Sequence, residues 1–62
     1  MNFFEALPFL LQGQRIRRAD DNVVYFSNDG GMTIEGRSLS DEADVPVILN
    51  QDEINADDWE VV

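Results

Sequence analysis

The nine residues INADDWEVV at the end of the chain set a large aromatic between a carboxylate run and two valines. Apolar side chains on a solvated tail gain nothing, so Ile54, Trp59, Val61 and Val62 require a core to return to. The tail is therefore expected to be a half-buried strand, with Trp59 and Val61 on one face and Asp58, Glu60 and Val62 on the other. With 62 residues the chain is read as one domain, 1–62. A domain of this size buries only about 60% of the surface its unfolded chain exposes. There is no cysteine and no histidine, hence no disulfide or thiolate metal site and no imidazole to bind metal or shuttle protons. Oligomerisation is the expected additional source of stability.

The opening NFFEALPFLLQG predicts a helix. Asn2 can cap it, Glu5 can close a capping box, and Gly13 supplies the left-handed position after its end. Phe3, Ala6, Leu7, Leu10 and Leu11 recur at helical spacing as a core face. Pro8 removes one backbone hydrogen bond inside this span, so a kink or a start nearer Pro8 is expected. In QRIRRA, alternation turns Ile16 inward, places Arg15 and Arg17 opposite, and leaves Arg18 on the Ile16 side. A guanidinium on the core side needs a partner. That partner is either a carboxylate such as Asp58 or Glu60, or a ligand's carboxylate or phosphate held bidentately.

NVVYFSNDGGMTIEGRS predicts a hairpin with strands Val23 to Phe26 and Met32 to Ile34. Asn28, Asp29, Gly30 and Gly31 would supply the positive φ angles of a tight turn. No lysine follows NDGG, so a phosphate-cradling loop is not indicated. SLSDEADVP reads as a loop and VPVILN as a short strand with Pro46 at its entrance. Asn50 and Glu53 repeat the capping spacing ahead of a single helical turn. The expected architecture is α+β, an N-terminal helix packed on a small antiparallel β-sheet in a single compact domain.

The net charge of −9 is unevenly placed, with nine of the thirteen acids and only Arg37 in residues 32–62. Binding nucleic acid requires cations that displace counterions from phosphates, so neither direct nucleic-acid binding nor an anionic membrane is expected as a partner. The acidity either keeps a small domain soluble or imitates nucleic-acid phosphates for a basic groove on another protein. The absence of long apolar runs and of a basic N-terminal segment predicts neither a signal peptide nor a membrane span, and a cytoplasmic location.

Enzymatic chemistry is not expected. Asp20 with Asp21, and Asp57 with Asp58, are adjacent pairs whose members point to opposite faces of a strand, so neither forms a convergent dyad. The DEAD stretch from Asp41 to Asp44 lacks the alternating ligands and turn glycine of a calcium loop, and no metal or other cofactor is expected. The serines and threonine have no histidine, cysteine or lysine to activate them.

Both ends of the chain resemble a family of small phage domains. In NFFEALPFLLQGQRIRR the matching residues are Phe3, Glu5, Ala6, Leu7, Leu10, Gly13, Ile16 and Arg18. In DEINADDWEVV they are Asp52, Ile54, Ala56, Asp58, Trp59 and Val61. The family is the second type of Thoeris anti-defence nucleotide sponge, and the two blocks cover somewhat under half of the chain. The resemblance implies a compact α+β domain that forms homo-oligomers. It also implies sequestration, without cleavage, of a cyclic ADP-ribose-type or related cyclic nucleotide signal, so that a host immune effector is not activated. The family's tryptophan three residues after the arginine is here Asp21, and Asp20 stands where glycine is common.

Two functions follow as expectations. The first is a phage-encoded, nonenzymatic anti-defence protein acting by such sequestration in the infected bacterial cell. Its candidate ligand-binding residues are Arg15, Arg17, Arg18 and Arg37 for phosphates, with Tyr25, Phe26 or Trp59 for stacking. The arginines could equally be satisfied by C-terminal carboxylates. The alternative is an acidic inhibitor that occupies the nucleic-acid-binding groove of a host defence protein through Asp41, Glu42, Asp44, Asp52, Glu53, Asp57 and Asp58. A structural or assembly accessory with no ligand is a third possibility.

Overall fold

The Asn2 side chain accepts from the Glu5 amide at 2.8 Å, and the Glu5 carboxylate accepts from the Asn2 amide at 2.9 Å. This reciprocal capping box satisfies two donors that a helix start leaves without partners. It fixes the beginning of α1 (Phe3–Leu11) in a computed structural model that describes residues 1–19, 21–38, 40 and 43–62. The helix runs through Pro8 instead of starting near it. The proline removes the donor that would reach the carbonyl of Phe4, and Phe4 lies exposed, where water can serve. Gly13 follows with φ +86°, as its spacing predicted.

The strands are β1 (Ile16–Arg18), β2 (Val23–Phe26), β3 (Glu35–Ser38), β4 (Asp44–Pro46) and β5 (Trp59–Val61), with α2 (Gln51–Asn55) before the last. Among the described residues they form one antiparallel sheet in the order β4-β3-β2-β1-β5. The protein is thus an α+β fold of one helix, a small antiparallel sheet and a second short helix. The two ends of the chain meet: β1 pairs with β5 as Ile16↔Val61, Arg17↔Glu60 and Arg18↔Trp59. Alternation then puts Ile16, Tyr25, Trp59 and Val61 on the α1 side, where Phe3, Ala6 and Leu10 close the core.

Trp59 is the anchor that its sequence context required. It is 1% exposed. Its ring meets Phe3 at 5.4 Å and Tyr25 at 5.5 Å, both edge to face, and its indole N–H donates to the Glu53 carbonyl at 2.8 Å. Truncating so large a buried side chain typically costs about 3–5 kcal/mol.

Three local expectations are corrected. The second hairpin strand is Glu35–Ser38, not Met32 to Ile34. Ser27 explains the shift: its hydroxyl donates to Asp29 at 2.8 Å and accepts from the Gly31 amide at 2.9 Å. Asp29 in turn accepts from the Thr33 amide at 2.9 Å, so residues 27–33 are held as a side-chain-braced loop. Positive φ falls on Gly30 and Gly31, whereas Asn28 and Asp29 have none and contribute side-chain bonds. A Cβ at Gly31 would collide with Leu11, so the loop closes directly on the end of α1. Finally, Pro46 ends β4 instead of opening a strand, and Val47 continues with one bond to the Ile34 carbonyl. Asp20, Leu39, Asp41 and Glu42 lie outside the described residues.

Candidate functional site

The face of the sheet opposite α1 carries Arg17 from β1, Val24 and Phe26 from β2, Glu35 and Arg37 from β3, and Asp44 from β4. Arg15, just before β1, joins them and is tied down by its carbonyl, which accepts from the Val62 amide at 2.9 Å. Val24 and Phe26 are only 8% and 7% exposed, although neither belongs to the helix-covered core. Arginine stems provide part of that cover. The guanidinium carbons of Arg15 and Arg37 lie 5.5 and 5.8 Å from the Phe26 ring centroid. Such contacts suit a weakly hydrated guanidinium over a ring.

Arg17 pairs with Glu60 at 2.7 Å directly across the β1–β5 register. Arg37 holds Asp44 through Nε at 2.5 Å and Nη2 at 3.0 Å. That hydrogen bonding keeps the Asp44 carboxyl below its usual range, with the charges of Arg37 and Arg15 adding to it. Among the described residues Arg15 has no ion pair.

Arg18 is committed elsewhere. Its Nε and Nη2 reach the two oxygens of Asp58 at 2.8 and 3.3 Å, which lowers the Asp58 pKa and raises that of Arg18. The Tyr25 hydroxyl donates to Glu53 at 3.2 Å and has Asp21 at 3.5 Å. Burial pushes this phenol up to about 12, and the charges of Asp21 and Glu53 add to the shift. Asp21 also accepts from the Val23 amide at 3.1 Å. Tyr25 and Trp59 are thus core rings packed on each other, and Trp59 offers no solvent-facing surface on which a base could stack.

Asp44 and Asp58 are ion-paired, and Glu53 serves the α2 capping box as well as Tyr25. Asp52 and Asp57 are exposed, the latter accepting through its backbone from the Met1 ammonium at 3.1 Å.

None of the residues proposed from the sequence for ligand or partner binding lines the open groove of about 460 Å³ between the 31–34 loop and the 46–49 segment. Phe3, Ile34, Val47, Leu49 and Ile54 line it, and Met32 and Ile48 stand 89% and 97% exposed beside it. The signal was present in VPVILN, whose consecutive apolar residues cannot all face one side. An apolar lining without a cation suits contact with another apolar surface better than contact with phosphate.

The chain matches none of the protein-family models and none of the curated proteins with which it was compared. Among the described residues no helix is long and apolar enough to cross a membrane.

Proposed function

We propose that the protein is a phage-encoded, nonenzymatic anti-defence protein. It sequesters a cyclic nucleotide or cyclic ADP-ribose-type signal in the cytoplasm of the infected bacterium and thereby keeps a host immune effector inactive. The observation that carries this reading is the way the two terminal blocks behind the resemblance interlock. Phe3, Ala6, Leu10 and Ile16 from the first block and Trp59 from the second form one buried cluster, with Ile54, Ala56 and Val61 packed against it. Arg18 and Asp58, one from each block, form an ion pair. Residues that resemble the family at opposite ends of the sequence therefore act as one unit in space.

Binding without turnover is the reading best suited to this inventory. The tyrosine proton is held more tightly than usual, and the carboxylates of Asp44 and Asp58 are held ionised by arginines. None of these groups is poised to exchange protons near neutral pH. The protein acts as a homo-oligomer, for which the apolar groove and the exposed Met32 and Ile48 are the natural contact. The acidic-inhibitor alternative is less well supported, because Asp44, Glu53 and Asp58 already serve Arg37, Tyr25 and Arg18.

Native mass spectrometry with a panel of cyclic ADP-ribose isomers and cyclic oligonucleotides tests the proposal. The expected result is a multimer carrying one panel member, which is recovered at its original mass after denaturation. A protein that binds no member, or that returns a cleaved product, would overturn it.

A further inference from the structure

We propose that the open face of the sheet is an anion site in which Arg15, held over Phe26 beside Arg37, receives a phosphate or pyrophosphate group. The proposal deepens the sequestration reading by naming where the phosphates of the signal sit, and only the identity of the natural ligand rests on that reading.

Charge is the first support. The strand residues of this face and Arg15 carry three cations, Arg15, Arg17 and Arg37, against Glu35, Asp44 and Glu60. They cancel, while the whole chain has a net charge of −9. An incoming anion therefore meets less repulsion here than the average surface would offer.

Arg15 is the second support. Thirteen acids accompany four arginines, yet among the described residues the ion pairs go to Arg17, Arg18 and Arg37 and none to Arg15. Contact between its guanidinium carbon and the Phe26 ring uses none of its five N–H donors. Those donors lie in one plane, in the fork that matches two oxygens of a phosphate. Arg37 lies over the same ring with its Nε and Nη2 on Asp44, so Arg15 is the cation that an incoming anion would meet. Glu35 shares the face but accepts from the Asn28 side chain at 3.0 Å, at the loop end of the hairpin.

The geometry also distinguishes this site from the apolar groove. Phe26 and Arg37 face away from α1, whereas Phe3 and Ile54 line the groove on the helix side. A ligand anchored by charge and one anchored by apolar contact would perturb different residues.

Titration of inorganic pyrophosphate into the ¹⁵N-labelled full chain tests the site, read from backbone amides and arginine Nε–H signals. Saturable shifts are expected at Arg15, Phe26 and Arg37, with binding at least tenfold weaker in Arg15→Ala and intermediate in Arg15→Lys, which keeps charge but loses the fork. Cooperative melting of both variants within a few degrees of the wild type shows that the fold is intact. No saturable shift, equal binding by Arg15→Ala, or shifts confined to residues 46–49 would overturn the proposal. Cyclic nucleotide binding that persists in Arg15→Ala would sink this site and leave sequestration standing. Pyrophosphate binding that depends on Arg15, in a protein that takes no cyclic nucleotide, would keep the site and sink sequestration.

Discussion

Tyr25 and Phe26 are adjacent aromatic residues of β2, exposed by 6% and 7%, yet they are buried by different kinds of neighbour. Tyr25 packs edge to face on Trp59 beneath α1, and its hydroxyl is tied to Glu53. Phe26 lies on the other face with Arg15 and Arg37 over it. Cover by packed apolar rings cannot be withdrawn without opening a cavity, whereas an arginine stem can swing aside toward an anion. Equal burial on the two faces therefore means stability on one and availability on the other.

Substitutions that remove one aromatic from each face should separate most sharply. Trp59→Ala should lose about 3–5 kcal/mol, enough to unfold much of so small a domain, in denaturant titrations followed by circular dichroism. Phe26→Ala should lose about 1.5–3 kcal/mol, the transfer term alone, because the arginines can collapse into the gap. Equal losses would break the distinction between the faces. Gly36 refines the core side. A Cβ there would stand 3.1 Å from side-chain methyls of both Val23 and Val47, which border an open cavity and need yield only a few tenths of an ångström, so Gly36→Ala should change stability by no more than about 1 kcal/mol.

pH reads the same contrast through charge. The carboxyls of Asp44 and Asp58 have lowered pKa values in the folded state, so the stability they supply is present above the unfolded carboxylate pKa of about 3.9. It is lost as pH falls through their folded values, and Asp58→Asn or Asp44→Asn should flatten the acid limb of a melting-temperature profile. Tyr25 acts in the opposite direction. Its folded pKa of about 12 lies above the unfolded value, so its contribution is full below about pH 10 and is lost as pH rises toward 12. Tyr25→Phe should remove that alkaline slope. A comparably small effect on stability is expected of Arg15→Ala, about 0.5–1 kcal/mol from one exposed cation–π contact.

Much of the helix-covered face was legible in the sequence. Both capping boxes follow from the Asn–Glu spacing, the anchoring role of Trp59 from apolar residues on an acidic tail, and the need of Arg18 for an anionic partner from the cost of an unpartnered guanidinium on the core side, although the choice of Asp58 over Glu60 or a ligand was settled only by the fold. The hairpin was misplaced because Ser27 and Asp29 brace the loop through side-chain bonds that hydrophobic patterning does not register. The candidate site was legible only as a cluster of arginines. Which of them is left without a carboxylate depends on pairing Arg17 with Glu60 and Arg37 with Asp44, long-range geometry that local spacing does not encode. For the same reason the sequence could not separate Tyr25, Phe26 and Trp59 as stacking candidates: Tyr25 and Trp59 pack against each other, while Phe26, on the open face, carries the arginines.

Thermal melting of the wild type and Arg15→Ala, each with and without a cyclic ADP-ribose isomer bound by the wild type, tests the central claim most directly. A ligand that binds only the native state stabilises it by about 2.7 kcal/mol at a hundredfold excess over Kd, which is readily visible as a higher Tm in a domain of this size. The expected result is a rise in Tm for the wild type that disappears in Arg15→Ala, the two free proteins melting within a few degrees of each other. Equal rises in both proteins would contradict the assignment of binding to the open face, and no rise with any member of the ligand panel would contradict sequestration itself.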